Sequence, residues 1–215
     1  MGIVFVILIH LVLIFFISSI TGLIWIILIC ILSKSKNRTR KIIFAGLTPY
    51  VGLYSLYFFV LFGSIIVSQL KGVDEGIGDC WYVTIKDKCN LTFIDLPEQS
   101  YLKDDDKTII EGIACIQQED YKLTGVTHDS IFFSYDINSK AFQRYKSETE
   151  LLKANNKQKF NLIKAIDYYS DKKDEVAGTS LILVGIISII LTIFILFGLK
   201  KLIIRNKQID NNILV

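Results

Sequence analysis

Four cysteines and two histidines are the residues of this chain best suited to nucleophilic, redox or metal chemistry. Cys80 and Cys89 bracket a short segment of strand character, and a bridge between them would clamp a hairpin. Closing a loop of about ten residues is worth about 2–3 kcal/mol in the chain-entropy picture. Cys115 falls in an apolar strand pattern and reads as a buried free thiol, with pairing to Cys80 or Cys89 as the alternative register. Cys30 sits inside an apolar run, where a thiol serves as a small packing group.

Other chemistry finds little support in spacing. A zinc site needs about four Cys and His ligands, and His128 is the only histidine near Cys80, Cys89 and Cys115. The carboxylates of Asp104, Asp105 and Asp106 lack the alternation, central glycine and distal glutamate of a calcium loop, so they read as a solvated turn. No nucleophile elbow or Ser-x-x-Lys element accompanies His128, which reads as a turn residue before Asp129. No glycine-rich phosphate cradle is present. The expectation is therefore a protein without enzymatic activity, cofactor, metal or nucleic-acid partner.

The elements around these residues are dominated by three apolar runs, residues 3–32, 42–70 and 176–199. Each can cross a hydrocarbon core about 30 Å thick, which takes about 20 helical residues. Lys34, Lys36, Arg38, Arg40 and Lys41 separate the first two runs without an acidic residue, and Lys200, Lys201, Arg205 and Lys207 follow the third. Short basic segments beside spans are retained on the cytoplasmic side. The remaining 15 of the 24 basic residues lie between Lys71 and Lys173, and 20 of the 21 acidic ones lie between Leu70 and Ala177. The predicted organisation is a two-helix transmembrane hairpin over 1–71 with a basic cytoplasmic loop at 33–41, an extracytoplasmic domain over 72–175, a third span over 176–199 and a cytoplasmic tail over 200–215. The N-terminus then lies outside. The first run lacks a basic leader and exceeds the about 7–15 apolar residues of a signal peptide, so it reads as a retained span.

His10 falls within the first turns of that span and reads as an interfacial histidine. In the second span Pro49 removes a backbone donor and predicts a kink. Tyr50, Tyr54 and Tyr57 recur beyond it at helical spacing, as a helix-packing face or as the lining of a polar pathway. The spans carry no run of acidic or basic residues, which argues against an ion-coupled transporter.

Between the second and third spans the period changes from continuous apolar to short alternating segments. Residues 81–85, 91–96, 108–116, 121–124, 130–135 and 141–145 read as strands of an antiparallel β-meander. Ser147 with Glu150 forms a capping-box signature, so helix is expected from there, broken near Asn155-Asn156. Phe160, Ile163, Ile166 and Tyr169 then recur at helical intervals and suit packing on the sheet, with Tyr168 and Tyr169 alternatively in an interfacial belt. The fold class expected is a membrane α-helical protein with three transmembrane helices plus a small α+β extracytoplasmic domain with C-terminal helices. Asn90-Leu91-Thr92 is a glycosylation acceptor only in a eukaryotic host, whereas the wealth of Ile, Lys and Asn suggests an AT-rich genome and a bacterial inner membrane.

The expected function is a membrane-anchored protein whose outer domain binds a protein or envelope partner, such as an immunity or secretion-accessory protein. The alternative is a signal-transducing or channel-associated subunit that couples the outer domain to the kinked second span. Beyond the lipid bilayer and that partner, the helix faces leave a homo-oligomer through the transmembrane helices open.

Overall fold

The computed structural model describes residues 2–33 and 37–205. Lys34, Lys36, Lys207 and the 206–215 part of the tail lie outside the described residues. Two compact units emerge, one from residues 1–64 with 181–215 and one from 65–180.

The first unit holds α1 (Ile3–Leu32), most of α2 (Arg38–Lys71) and most of α5 (Thr179–Arg205). Among the described residues three helical stretches are long and apolar enough to cross a membrane: Ile3–Leu32, Arg38–Lys71 and Ala165–Ile204. Their large side chains, such as Phe16, Leu23 and Phe194, are mostly exposed, as expected of surfaces made for lipid. Lipid gives apolar side chains no reason to associate, so these helices meet through small residues and hydrogen bonds. A Cβ on Gly22 would lie 3.2 Å from the Gly46 carbonyl oxygen, and one on Gly63 would lie 2.3 Å from a Val184 methyl. Buried Ser18 donates to the carbonyl of Pro49 at 3.3 Å, and α2 continues as helix through that proline.

In the second unit the strands form two antiparallel sheets. The first runs β1 (Cys80–Lys86), β2 (Cys89–Ile94), β3 (Leu96–Asp104), β4 (Lys107–Glu111) in that order. The second has the order β8-β7-β6-β5-β9 and comprises β5 (Ile113–Glu119), β6 (Lys122–Thr127), β7 (Phe132–Asp136), β8 (Ala141–Tyr145) and β9 (Ile163–Lys164). The single meander is thus corrected to two sheets, and the strand expected over 108–116 is two strands. Gly112 divides them at φ +67°, a conformation that a side chain disfavours. Its amide donates to the Ser100 carbonyl of β3, and its carbonyl accepts from the His128 amide after β6. The chain therefore passes from one sheet to the other within one residue.

The core is built from alternating inward residues. Val83, Leu91, Phe93, Leu102, Ile113, Ile116, Leu123 and Phe133 are fully buried. On β6, Gly125 stands opposite Phe133 in register, and the ring occupies the space a side chain there would need. Helix α3 (Glu148–Ala154) starts where expected: the Glu150 amide donates to Ser147 Oγ at 3.3 Å, and the Glu150 carboxylate accepts from the Lys146 amide at 2.9 Å. It ends at Asn155 and buries Leu151. The helix expected to carry Phe160 and Ile163 begins only at Ala165. Phe160 is buried outside regular structure, and Ile163 pairs with Ile116 of β5. Helix α4 (Ala165–Lys173) packs on β1, β3 and β5 and continues through a π-helical segment, Asp174–Gly178. Tyr168 is buried and donates to Gln118 Oε1 at 2.6 Å, so it belongs to the sheet contact and not to an interfacial belt.

The disulfide expectation is also corrected: Cys80 and Cys89 are free. In antiparallel pairing the start of one strand meets the end of the next. Cys80 accordingly faces Ile94 and Cys89 faces Lys86, at opposite ends of the hairpin. Two thiols about five strand residues apart, at about 3.3 Å each, exceed the about 7 Å limit between bridged Cα atoms. Cys115 is a half-buried free thiol.

Candidate functional site

In the first unit, α2 presents its tyrosines to α1. Tyr50 Oη shares a 2.8 Å hydrogen bond with Ser19 Oγ, and Tyr54 donates to the Leu11 carbonyl at 2.9 Å. Tyr57 meets His10 at 3.3 Å from hydroxyl to Nδ1, with the rings edge to face at 5.7 Å. His10 is half-buried against this partner.

The second unit contains two acid-centred clusters. Asp104, at the end of β3, is 4% exposed. It accepts from Lys140 Nζ at 2.6 Å on both oxygens and from Tyr135 Oη at 2.5 Å. Since β3 and β7 belong to different sheets, this carboxylate binds one sheet to the other. Burial alone would raise its pKa, but the Lys140 and Tyr135 hydrogen bonds together hold it below the ordinary carboxylate value. Burial and the Asp104 bond push the Tyr135 hydroxyl up. Burial, with Asp104 adding to it, raises the nearby Cys89 thiol to about 12, so Cys89 stays protonated and unreactive at neutral pH. The solvated turn expected over 104–106 thus holds for Asp105 and Asp106, both exposed, but not for Asp104.

Asp74 centres the other cluster and is 3% exposed. It accepts from Lys173 Nζ at 2.8 Å, Tyr169 Oη at 2.5 Å, the Gly76 amide at 2.8 Å and the Tyr82 amide at 3.3 Å. Burial and the bond to Asp74 raise the Tyr169 hydroxyl. Tyr169 and Lys173 share a helix face by their four-residue spacing, and Phe93 packs edge-on against the Tyr169 ring. Asp74, Tyr135, Lys140 and Lys173 stand in no motif or spacing pattern that marks them as site residues in the sequence.

Asp104 carries a pH consequence. Its folded pKa lies below the unfolded one, so the stability it contributes is present above the unfolded value and is lost as pH falls through the folded value. Because the Lys140 side chain is 50% exposed, solvent screens the pair. Lys140→Gln should therefore lower stability at neutral pH, by less than the loss of a fully buried partner would. It should also flatten the loss of stability below about pH 4. Urea midpoints measured across pH check both.

Two open clefts border β4. The larger, about 730 Å³, is lined by residues including Glu98, Ser100, Lys103, Thr108, Glu111 and Asp129. The smaller, about 340 Å³, is lined by Thr108, Ile109, Ile110, Glu111, Thr127, Asp129, Ile131 and Arg144. A third, about 390 Å³, is lined by Cys115, His128, Glu98 and Lys164 among others. Among the described residues no three His, Cys, Asp or Glu side chains converge as metal ligands. No known protein family, curated protein or solved structure matches this chain.

Proposed function

We propose that this protein is a non-enzymatic, membrane-anchored binding protein whose β unit recognises a protein or envelope partner on the extracytoplasmic side. The observation that carries this reading is the division of the β unit's polar groups. Asp74 and Asp104 are held inside, bonded to lysine and tyrosine, while the clefts around β4 are open and include the exposed polar side chains of Thr108, Glu111 and Asp129. The basic stretches 34–41 and 200–207 favour the cytoplasmic side, which leaves the β unit outside and the N-terminus with it. In this reading the membrane is a bacterial inner membrane, and an immunity or secretion-accessory role is the version proposed. Photo-crosslinkers scanned over exposed β-unit positions in intact cells should give a discrete adduct at a contiguous set of them. Absence of any adduct across the unit contradicts the reading.

One observation favours a second reading, a signal-transducing or channel-associated subunit. Asp74, three residues beyond α2, is bonded to Lys173, the residue before the π-helical segment of the helical stretch Ala165–Ile204. π-helical turns often mark functional positions. A Pro49→Ala variant that inserts normally but loses the cellular phenotype would favour coupling over anchoring.

A further inference from the structure

We propose that the outer edge of β4 docks an extended, basic segment of a protein partner as an added strand. This rests on the partner-binding reading above and names its surface and ligand class. β4 is the last strand of the first sheet and, among the described residues, pairs only with β3. Alternate residues of such a strand aim their N–H and C=O groups away from the sheet, so an extended chain finds backbone partners there. The other sheet edges offer less. β1 is partly met by the Val73–Val83 bridge, and β9 has two residues. β8 contributes only Arg144 to the smaller cleft and nothing to the larger.

β4 is also where the two clefts meet, since both are lined by Thr108, Glu111 and Asp129. A strand laid along it sends successive side chains to opposite faces, with both clefts within reach. Charge then selects the occupant. In the larger cleft Lys103 is held by Asp106 at 3.4 Å, which leaves Glu98, Glu111 and Asp129, all exposed, as its negative balance. Among the described residues Arg144 is the one basic residue that lines the smaller cleft. Lys107 stands at the opposite end of β4, so the ligand's cations belong toward Glu111. The pairing register with β3 shifts around Ile109, and this bulge makes β4 a poor template for indiscriminate strand pairing. A cationic strand gains from the acids what the short, bulged edge lacks.

The test uses the full chain in nanodiscs and fluorescent peptides of about eight residues, the reach of an ordinary strand. One peptide alternates Lys with Val, and the other Glu with Val. The basic peptide should bind saturably, slow amide exchange over residues 107–111 and be favoured over the acidic one. Glu111→Lys with Asp129→Lys should weaken it by about tenfold or more. Equal binding to the charge-reversed variant, or no binding at millimolar peptide, overturns the proposal. A crosslinked partner that maps away from β4 also overturns it while leaving the partner-binding reading intact.

Discussion

Lys173→Met should lower the stability of the β unit by about 3–5 kcal/mol, the range for breaking a buried ion pair from one side. Asp74 and Lys173 expose only 2% and 17% of their side chains. Methionine keeps the length and apolar stem of lysine but leaves the carboxylate with Tyr169 and two backbone amides and no countercharge. The cost is that of an uncompensated buried charge, so removing the charge should recover part of it. Asp74→Asn with Lys173→Met is accordingly expected to be more stable than Lys173→Met alone. Urea unfolding followed through Trp81, in a Trp25→Phe background, measures both. A loss below about 1 kcal/mol for Lys173→Met would mean that lysine is not what compensates Asp74.

Gly125→Val should be nearly as damaging, at about 3 kcal/mol, the upper part of the usual overpacking range. A Cβ there would lie 2.6 Å from the Cys115 carbonyl oxygen and 2.6 Å from Phe133 Cζ. The ring can turn aside only by leaving the core, and the carbonyl belongs to the neighbouring strand β5, so relief requires the sheet to open. Phe133→Leu alone creates a cavity, but combined with Gly125→Val it should relieve part of the strain. The same unfolding assay should find the double variant less destabilised than the sum of the single ones.

The apolar runs were legible because hydropathy and charge act over about 20 residues at a time. The strands were legible where alternation is strong, as in 81–85, 130–135 and 141–145. It failed in β3, of which only Leu96 falls in an expected strand, because the exposed Pro97-Glu98-Gln99 stretch that follows shows no alternation. It failed again at Gly112, since a single positive-φ residue changes sheets without interrupting an apolar run. Asp104 had a readable signal in its position two residues after buried Leu102, which puts it on the inward face. Its neighbours Asp105 and Asp106 masked that signal by looking like one solvated run. The Asp74 cluster was beyond spacing altogether, because its partners stand 95 and 99 residues away. Cys80 and Cys89 misled for a geometric reason: proximity in sequence across a hairpin places strand starts at opposite ends.

The most direct test of the account is the sidedness of the β unit. Asn138→Cys in the exposed β7–β8 turn, in a Cys80→Ser background, should react with a membrane-impermeant maleimide in intact cells. Asn37→Cys, exposed beside the basic stretch, should react only after the membrane is opened. The reverse pattern, with position 37 labelled from outside and position 138 protected, would contradict an extracytoplasmic binding unit.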